Sequence, residues 1–260
     1  MSNPSCPFSR LLLTNDDGID APGLRTLMAV AGELAEEVWV VAPDYDQSGT
    51  SHSLSLHRPL RVSQKGARTF SVSGTPGDCV VMAVRHLMAS GAPDLILSGI
   101  NRGANLGVET VFSGTVGAAM TGMLLGVPSM ALSQAFSDRN AVRWDTAREL
   151  APKVIRQFAL GDWSRGSCLN INFPDRPVDE VGPVELTRQG AGLLDDFQVI
   201  SGVDPRNLEY HWLSLRRTAR ENAAGSETHA IGQGRVSVTP LQFERTNQEV
   251  LADLQTAALR

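Results

Sequence analysis

Short apolar runs alternate with helical patterns along the first half of the chain. Runs that are apolar throughout predict buried strands, and they cover residues 11–14, 38–42, 95–98 and 129–133. Positions with helical spacing predict helices between these runs, over residues 22–34, 76–89 and 115–125. Because strands that alternate with helices form βαβ units, the pattern predicts an α/β fold with a mostly parallel sheet.

The alternation is interrupted by a hairpin in the first half of the chain, and it ends after about residue 160. Residues 60–73 predict a hairpin around Lys65 and Gly66, and residues 141–160 a helix. Further strands are predicted over residues 168–173, 184–188, 208–216 and 235–239, and a closing helix over residues 248–259. Residues 190–206 show no sustained periodicity, and the Gly-rich polar residues 223–234 predict a mobile loop. We interpret the chain as one α/β domain, with a core of about residues 8–190 completed by residues 235–260, and a β-rich extended arm of about residues 191–234.

Composition narrows the class of protein. Of the 260 residues, 42% are hydrophobic and 20% charged, which is typical of a soluble globular protein. The net charge of −5 and the scattered arginines argue against a nucleic-acid binder. The three cysteines are far apart, so they offer no zinc site and fit a reducing compartment. No charge-free apolar window approaches ~18 residues, and the N-terminus lacks a signal-peptide pattern, so we expect a cytoplasmic protein without a membrane span.

The first predicted strand ends in Asn15, Asp16 and Asp17. Open parallel sheets bind their ligands at the edge where strands end. Two adjacent carboxylates there repel each other unless a cation or a proton lies between them. From this motif alone, a helix-capping turn is an equally good interpretation. Three later segments end in the same way, and this favours a ligand site.

These segments bring more oxygen atoms to the same edge. Residues 43–51 supply hydroxyls, among them that of Ser48, together with amides and two further acids. Residues 98–107 supply Asn101 and Asn105. The segment Ser113-Gly114-Thr115 precedes a predicted helix. Right-handed crossovers bring such loops together. Oxygen ligands of this kind suit Mg²⁺, Mn²⁺ or Ca²⁺ and suit zinc poorly.

The glycines indicate an anion site, but their spacing differs from that of the common nucleotide-binding motifs. Gly99, Gly103 and Gly107 are four residues apart, which is not the dinucleotide fingerprint, and the chain contains no P-loop sequence. The free N–H groups at residues 113–115 suit a phosphate, although a plain helix cap and turn-forming asparagines explain the same residues singly. A cation beside a phosphate site indicates phosphoryl chemistry. His52 is either an acid for this chemistry or a surface histidine without a role.

Eight segments carry motifs in a recognisable order and spacing: residues 12–23, 41–44, 47–49, 74–79, 93–107, 113–120, 169–174 and 236–241. In these segments the chain resembles the SurE family of stationary-phase 5′-nucleotidases. The resemblance implies a Rossmann-like three-layer core with a mostly parallel sheet, and an extended C-terminal arm that builds homodimers or homotetramers. It also implies one divalent metal ion (Mg²⁺ or Mn²⁺, with Ca²⁺ also compatible), held by Asp16, Asp17, Ser48 and Asn101. Phosphate contacts are implied for Asn15, Asn105, Ser113, Gly114 and Thr115.

The implied activity is that of a metal-dependent phosphomonoesterase (EC 3.1.3.5). An enzyme of this kind hydrolyses nucleoside 5′-monophosphates, with 3′-monophosphates and short polyphosphate as further substrates. The resemblance implies that Asp16 and Asp17 are its catalytic residues. A phosphoaspartate mechanism is disfavoured because these aspartates are adjacent and not in D-x-D spacing. The alternative function is a catalytically weak, nucleotide-binding regulator that uses the same loops. The sequence departs from the family pattern at His229, where we expect an acidic residue.

Overall fold

The computed structural model describes residues 6–159, 166–218 and 222–258. Its helices are α1 Pro22–Ala31, α2 Pro76–Met82, α3 Gly114–Leu124, α4 Trp144–Ala159, α5 Glu227–Gly232 and α6 Gln248–Ala258. Its strands are β1 Phe8–Thr14, β2 Ala35–Pro43, β3 Val62–Gly66, β4 Thr69–Val72, β5 Leu95–Arg102, β6 Ser129–Gln134, β7 Cys168–Phe173, β8 Gly182–Leu186, β9 Leu194–Val203, β10 Glu209–Arg217 and β11 Arg235–Leu241.

Nine strands form one mixed sheet in the order β3-β4-β2-β1-β5-β6-β7-β11-β8. Neighbours from β4 through β7 are parallel, whereas β3 runs antiparallel to β4 and β11 antiparallel to β7. The predicted α/β class with a mostly parallel sheet is confirmed. The carboxyl ends of β1, β2, β5 and β6 therefore lie along one edge, where the predicted site residues follow the strands.

Helices cover both faces of the sheet. Side chains alternate along β1, so Leu11 and Leu13 pack in the core beneath α1 and α4, whereas Leu12 packs on the opposite face with residues of α2 and α3. All three leucines are fully buried. This double coverage explains why the central strands are apolar at every position, which is the pattern that predicted them.

Helix α2 begins as the sequence indicates and ends earlier. Thr75 and Asp78 form a capping box, and Pro76 occupies the first helical turn. The helix was predicted to reach residue 89, but a π-helical turn, Ala83–Leu87, follows Met82. The capping box contributes to the candidate site, because it fixes the start of this helix beside the edge of the sheet.

In the second half, the predicted β-rich extension is confirmed and the predicted mobile loop was wrong. Residues 194–203, which show no sustained periodicity in the sequence, form strand β9, which pairs with β10 as a separate two-stranded sheet. Residues 223–234 were predicted as a mobile loop, but they contain α5, in which Glu227, Thr228 and Ala230 are buried. Helix α5 has only six residues, so it is too short to show a long apolar stripe. No helix in the described parts of the chain is long and apolar enough to cross a membrane.

Candidate active site

Asp16 lies at the meeting point of β1 and the N-terminus of α3. Its Oδ1 accepts a hydrogen bond from Thr115 Oγ1 at 2.5 Å. A Cβ atom on Gly114 would lie 2.7 Å from Asp16 Cβ, so only glycine permits this approach. Burial raises the pKa of Asp16 to about 7, the Thr115 hydroxyl lowers it in part, and the neighbouring charge of Asp17 raises it further. The helix N-terminus provides a favourable environment for negative charge at this position.

Asp17 is more accessible and faces several charges. Its Oδ2 accepts the backbone N–H of Arg102 at 3.2 Å. Burial is the main cause that raises the pKa of Asp17; Asp46 also raises it, while the Arg102 N–H and the charges of Arg102 and Arg139 lower it. A carboxylate pair whose protons are held more tightly than usual is a common feature of functional sites.

The loops that carry Ser48 and Asn101 reach the carboxylate pair through their neighbouring residues. The N–H of Gln47 donates to the main-chain oxygen of Asp16 at 2.7 Å, and Ser48 follows directly. Arg102, which contacts Asp17, directly follows Asn101. The amide nitrogen of Asn101 donates to Gly103 O at 2.7 Å, so its amide oxygen is the atom suited to a cation. The structure thus brings the first three predicted loops to one place.

Asn105 is held by a network of hydrogen bonds to its side-chain amide, its N–H and its carbonyl, which the sequence did not predict. Its amide nitrogen donates to Ser133 Oγ at 2.8 Å, and its N–H donates to Asn172 Oδ1 at 2.8 Å. Its carbonyl accepts from the side chains of Asn170 at 2.9 Å and Asn172 at 3.2 Å. Asparagines at alternate positions within the apolar β7 were the available signal, because both lie on the same face of the strand.

The helix entry at residues 113–115 uses its hydroxyls internally. Ser113 caps α3 by accepting the N–H of Val116 at 3.1 Å, and Thr115 donates its hydroxyl to Asp16. The plain capping role weighed for Ser113 is therefore present. An anion here would be bound by backbone N–H groups at the start of α3, which agrees with the way helix N-termini hold phosphates.

The donor atoms fit a divalent cation. Asn15 donates its amide nitrogen to Gly18 O at 2.8 Å, and its buried Oδ1 has no hydrogen-bond partner in the described structure. An unpartnered buried oxygen beside two carboxylates is suited to a cation. Among the described residues no three His, Cys, Asp or Glu side chains form a metal cluster, so the hydroxyl of Ser48 and the amide of Asn101 would complete the ligand set.

The two histidines named in the sequence analysis lie apart from this arrangement. His52 is half-buried: its Nε2 lies 3.0 Å from Met120 Sδ, and its ring packs against Phe243. Burial lowers the pKa of His52. His229 lies on α5, where the buried acid is Glu227, two residues earlier. Glu227 accepts the N–H of Gly107. Position 229 is not acidic, but an acidic side chain two residues earlier holds the loop that contains Gly107.

The fold and the site define a Rossmann-like α/β protein with a pair of carboxylates at the strand ends, next to the N-terminus of a helix. A family model described as "Survival protein SurE" matches residues 11–196. The chain is 63% identical over 250 residues to "5′-nucleotidase SurE 1" of Burkholderia lata, with 96% of each chain covered. It is 44% identical over 248 residues to "5′-nucleotidase SurE" of Paramagnetospirillum magneticum, with 95% of each covered.

A solved structure agrees. The SurE protein of Aquifex aeolicus superposes with a TM-score of 0.81 at 33% identity, covering 96% of this chain and 99% of that one. The chain therefore belongs to the SurE family, as the sequence resemblance implied.

Proposed function

We propose that this protein is a 5′-nucleotidase that hydrolyses nucleoside 5′-monophosphates to nucleoside and phosphate. The observation that carries the proposal is the contact between Asp16 and the start of α3, because it joins a carboxylate suited to a cation with backbone N–H groups suited to a phosphate. The relatives named above are called 5′-nucleotidases, which supports an enzyme and not the alternative nucleotide-binding regulator. Nucleoside 3′-monophosphates and short polyphosphate are proposed as further substrates.

The proposed metal ligands are Asp16, Asp17, Ser48 and Asn101. A divalent ion, Mg²⁺ or Mn²⁺ with Ca²⁺ also compatible, would supply positive charge against the phosphate oxygens and acidify a water molecule. Oxygen ligands match these ions. The orphaned Oδ1 of Asn15 lies in the same loop. We therefore place Asn15 beside the proposed metal ligands and also among the residues proposed to contact the phosphate, which are Asn105, Ser113, Gly114 and Thr115.

The side chains themselves have distinct tasks. The network around Asn105 fixes that residue before substrate arrives, which lowers the entropic cost of orienting the phosphoryl group. Thr115 orients Asp16. One of the two carboxylates, that of Asp16 or that of Asp17, would orient or deprotonate the attacking water, because a carboxylate with a raised pKa accepts a proton more readily.

The test is phosphate release from a panel of nucleoside monophosphates, with EDTA and with added Mg²⁺ or Mn²⁺. We expect metal-dependent release that Asp17→Asn reduces by a factor of about 10² or more, the range for loss of proton-transfer catalysis. Asp20→Asn is the matched control, because Asp20 is an exposed acid of the same loop. A folded wild type that binds nucleotides without releasing phosphate under any metal condition would favour the regulator.

We also propose that the β9–β10 hairpin, which belongs to the arm, mediates homodimer or homotetramer assembly. Apolar side chains are exposed along it: Phe197, Val199, Ile200, Val203, Leu208, Tyr210, Trp212, Leu213 and Leu215. A two-stranded hairpin is marginally stable by itself, and an apolar surface of this kind usually marks an interface. A second copy of the chain is the proposed partner. We assign the protein to the cytoplasm, since its three cysteines are free thiols.

A further inference from the structure

A groove with a cavity volume of about 190 Å³ lies between the segment that follows β2 and residues 73–75. It is lined by Tyr45, Gln47, Ser55, Arg58, Leu60 and Thr75, among others, and we call it the Tyr45 groove. We propose that the Tyr45 groove binds the base of the nucleotide substrate, with Tyr45 and Arg58 as the residues that select nucleotides over other phosphate esters. This inference rests on the proposed nucleotidase function and adds a subsite to it.

The groove is continuous with the carboxylate loop. Gly18 has a φ of +97°, and a Cβ atom there would lie 3.1 Å from the carbonyl carbon of Tyr45. Gln47 donates its N–H to the main-chain oxygen of Asp16 at 2.7 Å. The loop that carries the catalytic carboxylates therefore packs directly on the segment that forms one wall of the groove.

The opposite wall reaches the proposed phosphate site. Thr75 lines the groove, and the next residue, Pro76, lies 3.2 Å from the position of a Cβ on Gly114. The same Cβ position is 2.7 Å from Asp16 Cβ. A substrate whose phosphoryl group binds at the start of α3 can therefore extend its other end along residues 73–75 into the groove.

The wall opposite Tyr45 is rigid because Asp78 ties Ser55 to Thr75. This buried carboxylate accepts the N–H of Ser55 through one oxygen and the N–H of Thr75 through the other, both at 2.9 Å. The hydroxyl of Thr75 donates to Ser53 O at 2.6 Å. A shape fixed before binding loses little entropy when a planar ligand enters.

The chemistry of the open side fits a nucleobase. Tyr45 is 65% exposed and presents an aromatic ring at the groove. Bases stack on aromatic rings and on guanidinium planes, and Arg58 supplies the second of these surfaces. The amide of Gln47 can both donate to and accept from the polar edge of a base. A phosphate ester without a base uses none of these groups.

The test compares adenosine 5′-monophosphate with ribose 5-phosphate, which lacks the base. For Tyr45→Ala we expect the ratio of kcat/KM for the nucleotide to kcat/KM for ribose 5-phosphate to fall about tenfold, as loss of one stacking ring predicts. The fall should lie in KM for the nucleotide and not in kcat. Tyr45→Phe keeps the ring and should keep the ratio. Arg58→Ala should lower the ratio, whereas Arg61→Ala, an exposed arginine three residues away, should not.

A second measurement does not depend on catalysis. Binding of adenosine in EDTA, followed by saturation-transfer NMR, should be present in the wild type and lost in Tyr45→Ala. An unchanged ratio in Tyr45→Ala, or an equal loss for both esters, would overturn the assignment while leaving the nucleotidase function intact. If the wild type hydrolyses neither ester but binds adenosine through Tyr45, the proposed function fails and the groove assignment stands.

Discussion

The carboxylate of Glu227 accepts the backbone N–H of Gly107 at 2.5 Å, across 120 residues of chain. Its second oxygen accepts the N–H of Gly190 at 2.7 Å, and the side chain is 1% exposed. Glu227 thus joins the start of the arm to the segment that follows Asn105. Because both oxygens have a donor, the carboxylate is satisfied without a cation partner.

We predict that Glu227→Gln destabilises the protein by about 1–3 kcal/mol, because an amide has one acceptor oxygen and leaves one buried N–H without a partner. The same change should raise KM for the nucleotide, since Gly107 lies two residues after Asn105. Urea unfolding and steady-state kinetics measure the two effects. Glu249→Gln, at an exposed position of α6, is the control. Equal stability of both variants would contradict the role of Glu227.

Gly114 provides a test that separates activity from stability. Alanine favours helix over glycine by about 1 kcal/mol, so Gly114→Ala in α3 would stabilise an isolated helix. Here its Cβ would lie 2.7 Å from Asp16 Cβ, and Asp16 must shift. We therefore predict a large loss of phosphate release without a gain in unfolding free energy. Gly232→Ala, where a Cβ meets nothing within 4 Å, should retain activity. A fully active Gly114→Ala would refute the close approach.

Much of the fold could be predicted because the central strands are apolar at every position, and this local pattern indicates a buried strand. Leu11, Leu12 and Leu13 are buried between two helical layers, and the run ends at the carboxylates. The parallel order of the strands then requires the loops to meet at one edge. The structure brings the loops of Asp17 and Asn101 together as expected, although metal and phosphate binding by these residues remains a prediction.

The parts that sequence reasoning missed are held by long-range polar contacts. Strand β9 has no clean alternation because both faces of a two-stranded hairpin are exposed, so no core imposes a period. Helix α5 depends on the bonds of Glu227 to Gly107 and Gly190, which no local pattern shows. The contacts of Asn170 and Asn172 to Asn105 span 65 and 67 residues. Periodicity cannot reveal such partners.

The hairpin allows a precise test of assembly. Phe197 packs edge-to-face on Phe112, with ring centroids 5.7 Å apart, so this face of the hairpin contacts the rest of the chain at Phe112. Trp212 is paired with Ile200 on the other face. We predict that the double substitution of Trp212→Ser and Ile200→Ser lowers the molar mass measured by light scattering, because apolar burial drives association.

Gln198→Ser, a polar position on the same face as Trp212, is the control for that experiment. Deletion of residues 207–234 would be a poorer test, because it also removes α5 and its buried residues. A mass that is unchanged by the double substitution would show that this face of the hairpin is not the interface.

Asp16 gives the metal-free protein a characteristic dependence on pH. Burial raises the pKa of Asp16 from 3.8 to about 7 in the folded chain, so between these values the folded state binds a proton that the unfolded state has lost. The free energy of unfolding must therefore fall as pH rises from 4 to 7, by about 4 kcal/mol for this group. Asp16→Asn should remove that part of the slope in urea titrations with EDTA. Added Mg²⁺ or Mn²⁺ should remove it from the wild type, because a cation replaces the proton between the carboxylates. Parallel pH profiles for wild type and Asp16→Asn would contradict the burial of an ionisable group here.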